Sequence, residues 1–143
     1  MLVDQMKTLL ATAFSFYLKA QYFHWNVTGP NFAQYHEFLG NLYEEVHGSI
    51  DKIAEEIRTL DSYAPGSLGR FKELSKVEDE TMIPAPGQMM NILYFDNQRV
   101  MDALKAAHEL AEEQKVFGLI NFLEDRMDVH SKHAWMLRSF IKQ

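Results

Sequence analysis

Residues 2–30 read LVDQMKTLLATAFSFYLKAQYFHWNVTGP. Leu2, Met6, Leu9, Ala13, Phe16, Ala20 and Phe23 recur at alternating spacings of four and three, which puts them on one stripe of an α-helix. Thr28-Gly29-Pro30 ends that helix, because proline has no N–H to give and pushes the residue before it out of helical conformation. Asn31 is then placed to cap a second helix, with Gln34 in the position that answers back to the cap. The second stripe runs through Tyr35, Phe38, Leu39, Leu42, Val46, Ile50, Ile53, Ile57 and Leu60.

Beyond it, residues 61–86 carry Pro65-Gly66, Gly69, Pro84 and Pro86 and read as a joint, with room for one short helix from Ser67 to Leu74. A third long helix is predicted over about 87–113, through Met89, Leu93, Val100, Leu104, Ala107 and Ala111. A fourth is predicted over about 116–141, through Leu119, Leu123, Met127, His130, Ala134, Leu137 and Ile141. No strand alternation and no longer repeat intervenes. Helices of this length span about 37 Å at ~1.5 Å per residue. The expected fold is all-α: an up-down four-helix bundle, with a short helix in the crossover between helices two and three, forming a single domain over residues 1–143.

Composition excludes several classes of function. Hydrophobic residues are 47% and charged residues 24%, an ordinary globular balance. With no cysteine, disulfides, thiolate metal sites and iron–sulfur clusters are out. No apolar run approaches the ~20 residues that span a bilayer, and the start Met1-Leu2-Val3-Asp4-Gln5-Met6-Lys7 does not resemble a signal peptide. A cytoplasmic protein with no membrane partner is the expectation. The net charge of −6, and a first stretch of 18 residues whose only basic residue is Lys7, argue against DNA binding.

The chemistry lies between His24 and Glu55. His24 and His36 offer imidazole nitrogen, and Asp51 and Glu55 offer two carboxylates one helical turn apart. This donor mixture suits iron, and manganese or zinc in its place, rather than calcium. His36 and Asp51 lie 15 residues apart on one helix, roughly 22 Å along its axis. One chain therefore offers a histidine end and a carboxylate end that do not meet. Two copies related by a two-fold axis, with their second helices antiparallel, would pair the ends reciprocally and make two identical sites. A site inside the bundle would instead need a glutamate from each of two helices and Glu-x-x-His from each of the others. Glu44 and His47 supply one such pair, but the first helix has no glutamate, and Met127 and His130 stand three residues before His130 and His133.

The segment from His24 through Trp25-Asn26-Val27-Thr28-Gly29-Pro30-Asn31-Phe32, then His36, then Asp51-Lys52-Ile53-Ala54-Glu55, resembles the Dps family of mini-ferritins, as does the ending Lys132-His133-Ala134-Trp135-Met136-Leu137-Arg138-Ser139. The resemblance implies a ferritin-like bundle assembled as a hollow dodecamer. It also implies ferroxidase centres at dimer interfaces, which oxidise Fe(II) with hydrogen peroxide and store ferric mineral. Carried over to this chain, His24, Asp51 and Glu55 would hold the tighter iron, His36 would serve the second, and Trp25 would sit close to the centre as an electron donor or radical sink. Gly40 stands where many members carry an aspartate, leaving Glu44, a turn further on, to reach the second iron through water. Asn121, Glu124, Asp125 and Asp128 fall where such shells line iron-entry pores. A DNA-compacting or structural assembly with a degenerate metal centre is the alternative function.

Taken singly, each of these residues has a plainer reading. His24 and His36 could cap or pack, Asp51 and Glu55 could be a solvated face, and Trp25 could be packing with a hydrogen bond. His47 is expected at the surface and His130, on the apolar stripe, as a buried, hydrogen-bonded residue.

Overall fold

The computed structural model describes residues 1–141. Five helices follow in order: α1 (Leu2–Asn26), α2 (Phe32–Thr59), α3 (Leu68–Leu74), α4 (Pro86–Glu113) and α5 (Phe117–Ile141). Among the described residues there is no strand. The four long helices are the bundle, and α1 is its hub, packing against α2, α4 and the short α3, while α4 pairs with α5. No helix among them is long and apolar enough to cross a membrane.

All seven residues of the first stripe are buried, and so are Leu39, Leu42, Val46, Ile53 and Ile57 of the second. Tyr35, Phe38, Ile50 and Leu60 pack half-buried at its edges. Each fully buried aromatic or aliphatic side chain contributes roughly 1.5–3 kcal/mol, so the periodic apolar positions are what hold the bundle together.

The helix ends explain the joints. α1 stops where Val27 turns extended, its N–H still bonded to the Phe23 carbonyl at 2.9 Å. Gly29 then adopts φ +117°, a conformation side chains oppose. The predicted Asn31–Gln34 capping box does not form. Asn31 sits at φ −105°, ψ 29°, outside the extended conformation that aims a cap side chain at the helix N–H groups, and its side chain makes no cap bond. At the far ends of α2 and α4 the chain closes with paired bonds. Asp61 N–H bonds to Arg58 O and Ser62 N–H to Ile57 O; Lys115 N–H bonds to Glu112 O and Val116 N–H to Ala111 O. This is the Schellman arrangement, with Asp61 (φ 62°) and Lys115 (φ 56°) in the left-handed position that usually holds glycine.

The connection from α2 to α4 lies over α1. Ser67 caps α3 by accepting from the Arg70 N–H, Phe71 is buried with its ring 4.7 Å from Phe14, Lys76 N–H donates to Thr12 Oγ1, and the Tyr22 hydroxyl donates to Met82 O.

Candidate metal centre

His24 in the last turn of α1 and His36 in the second turn of α2 are brought together by the tight Val27–Asn31 turn. Their rings stack, centroids 3.8 Å apart and 14° from parallel. Each ring also bonds the other residue's backbone: His24 Nδ1–H donates to His36 O at 2.7 Å, and His36 Nδ1–H donates to His24 O at 2.8 Å. A carbonyl can only accept, so each ring carries a proton on Nδ1, and in the neutral imidazole this leaves the lone pair of Nε2 for a ligand. Carbonyl bonds that fix the tautomer and orientation in this way are the usual support of metal-ligating histidine. Phe32 stacks on the outer face of His36 at 4.9 Å, and Tyr43 lies 5.3 Å from His24.

Asp51 and Glu55 are exposed on α2, four residues apart and on one face. The structure does not bring them to the histidines. Among the described residues, no three His, Asp or Glu side chains are arranged to take a metal ion. The exposed face that carries them continues through Glu37, Asn41, Glu44 and Gly48, again at spacings of four and three. One long face of α2 thus has no covering from the described residues of its own chain.

Trp25 follows His24 at the end of α1. Its side chain is 62% exposed and lines an open groove with Leu18, Tyr22 and Phe71. The aromatic side chain beside His24, after His36, is Tyr43, which no motif had singled out. His47 is exposed and packs on Tyr17 at 4.7 Å. The pore candidates Asn121, Glu124, Asp125 and Asp128 are all exposed, and Glu124 accepts from His108 Nε2 at 2.9 Å.

Inside the bundle, where a metal would need a glutamate from each helix, there is a salt-bridged network instead. Of Glu44 and Glu45, it is Glu45 that points inward. It accepts from both guanidinium nitrogens of Arg126, at 2.6 and 3.0 Å, and from His133 Nε2 at 2.7 Å. His130, buried as expected, accepts from Arg126 at Nε2 and donates from Nδ1 to Asn97 Oδ1, whose amide in turn donates to His130 O. Burial works against ionising Glu45, but the His133 and Arg126 bonds outweigh it and hold its carboxyl at about 2. Burial, then the charges of Arg126 and His133, push His130 well below its usual value and keep it neutral. A second buried pair, Lys19 Nζ to Asp96 Oδ2 at 2.8 Å, ties α1 to α4. The Arg126 guanidinium supplies the positive charge beside the Glu45 carboxylate. Sequence spacing missed Glu45, Arg126, Asn97 and the Lys19–Asp96 pair; polar and charged residues falling on or beside the apolar stripes were the available signal.

The ferritin-like domain family matches residues 3–143. An uncharacterized low temperature-induced protein of Nostoc sp. is 32% identical over 93% of this chain and 75% of its own length. A DNA protection during starvation protein of Brevibacillus brevis is 30% identical over 88% of this chain and 85% of its own. The crystal structure of a Vibrio cholerae Dps protein, described as one of a broad superfamily of ferritin-like diiron-carboxylate proteins, superposes with a TM-score of 0.95 at 25% identity, covering 99% of this chain and 89% of that one.

Proposed function

Because this chain belongs to the Dps family of ferritin-like proteins, we propose that it is a ferroxidase and iron-storage protein whose centres form between two copies. The observation that carries the reading is a pair of half-sites, one where the end of α1 meets the start of α2 and one further along α2. One end holds two imidazoles locked with Nε2 free, the other holds two exposed carboxylates, and they are separated along one uncovered helix face. Antiparallel pairing of that face about a two-fold axis sets each histidine end against the other copy's carboxylate end. Nitrogen and carboxylate donors together fit Fe(II) as substrate.

In this reading His24 with Asp51 and Glu55 binds the tighter iron, and His36 serves the second. Two Fe(II) ions each give one electron to hydrogen peroxide, yielding two Fe(III) and two hydroxide ions. The carboxylates favour the ferric product by charge, and the carbonyl-anchored rings hold their geometry through the change. Ferric ions then pass to the interior of a shell of twelve. The net charge of −6 favours a cation such as Fe(II) as partner over DNA. Consuming iron and peroxide together protects DNA chemically, which agrees with the name of the Brevibacillus relative.

Complementation tests this. Asp51→Ala with Glu55→Ala, and separately His24→Ala with His36→Ala, should each abolish fast Fe(II) oxidation by peroxide in an assembled protein. Dissociated and reassembled together in equal amounts, the two variants should recover about a quarter of the wild-type rate, because half the dimers are mixed and each regains one of two sites. Wild-type rates in either variant alone would sink the assignment. Recovery of nothing on mixing would place the centre within one chain.

A further inference from the structure

Gly40 lies inside α2, one turn after His36. Glycine in a helix interior costs about 0.5–1 kcal/mol against alanine, so its presence needs a reason. Its φ is not in the left-handed range, so backbone conformation is not that reason. Space is. A Cβ at Gly40 would meet three atoms of one imidazole: His24 Cε1 at 3.0 Å, Nδ1 at 3.2 Å and Nε2 at 3.8 Å. The other glycine within α2, Gly48, would meet nothing within 4 Å.

The ring it would strike has little room to yield. His24 is stacked on His36 at 3.8 Å, held at Nδ1 by the His36 carbonyl at 2.7 Å, and flanked by Tyr43 at 5.3 Å. The few tenths of an ångström that a methyl group demands must come out of the stack or out of the 2.7 Å bond. Either change shifts Nε2.

Accepting that the histidines are metal ligands, as proposed above, we infer that Gly40 is the positioning residue of the histidine half-site, its missing side chain being the seat of the His24 ring. It touches no metal; it acts through His24. Any side chain at position 40 would press on the ring as placed, and without one this chain has no acidic ligand at that position.

Cobalt(II) alone, titrated into the assembled protein and followed by its visible absorption, reads the half-site without turnover. Gly40→Ala should bind cobalt about 10–100-fold more weakly than wild type, the loss typical when a ligand's outer support is removed. His24→Ala should lose a similar amount. His24→Ala with Gly40→Ala should bind no more weakly than His24→Ala, because no ring remains to displace. Unchanged affinity in Gly40→Ala while wild type binds cobalt would overturn this inference and leave the metal reading standing. An additive loss in the double variant would overturn it too, by giving Gly40 a merely structural role. No cobalt uptake by wild type would defeat the metal reading and this inference with it. If Gly40→Ala fails to assemble, the double variant should assemble, since the clash is gone; its failure would also overturn the inference.

Discussion

Arg126→Met tests the claim that one guanidinium holds the Glu45–His130–His133 network together inside this bundle. The Arg126 side chain is 9% exposed and makes three bonds, two to Glu45 and one to His130. Methionine fills similar space but leaves the Glu45 carboxylate with His133 alone and His130 Nε2 without a donor. Removing one partner of a buried pair costs about 3–5 kcal/mol. Because the Glu45 side chain is 35% exposed, water softens the penalty, and the lower end, about 3 kcal/mol, is expected. The loss should also depend on pH. Arg126 helps hold Glu45 down at about 2 and helps push His130 below its usual value. Without it, folded His130 takes a proton more readily and puts a positive charge back near Glu45. The penalty should therefore be larger at about pH 8 than at about pH 5.5, since the folded variant binds protons that the folded wild type refuses. Urea denaturation followed by far-ultraviolet circular dichroism, at one protein concentration and both pH values, measures this. A loss under about 1 kcal/mol, or an equal loss at both pH values, would refute the reasoning. Arg126→Met combined with Glu45→Met should recover most of the stability, since no charge is then left unpaired.

Lys115→Gly relieves a left-handed residue at the end of α4 and should raise stability by about 0.5–1 kcal/mol in the same denaturation assay. Gly29→Ala, at φ +117°, should cost about 1–3 kcal/mol and weaken cobalt binding, because this turn brings α1 and α2, and so the two histidines, together. Acid should weaken the wild type in two stages on a thermal melt against pH. The folded His130 refuses a proton that the unfolded chain takes, so stability starts to fall as pH drops through about 6.5. Glu45, lowered from 4.5 to about 2, adds its loss below 4.5. Asp96, raised mainly by burial, opposes the trend in the carboxylate range. A profile flat from neutral pH down to about 5 would remove His130 from this account.

The number, length and order of the helices were legible in the sequence because each follows from local rules. Apolar residues at spacings of three and four must share a face, and Thr28-Gly29-Pro30 must break the chain. The four ligand candidates were legible for the same reason, as donor type and separation along a helix are one-dimensional quantities. Tertiary packing alone decided what those side chains do. It stacks His24 on His36 and crosses their Nδ1 bonds, and this fixes where a lone pair is free. It turns Trp25 outward and sets Tyr43 beside His24. It chooses Glu45 over Glu44 for the interior, because a rotation of about 100° per residue separates the two and only one can meet Arg126 from α5. Gly40 draws on both: the family resemblance marks it as standing where an aspartate often does, and the ring of His24, arriving from another helix, lies against the place where its side chain would be.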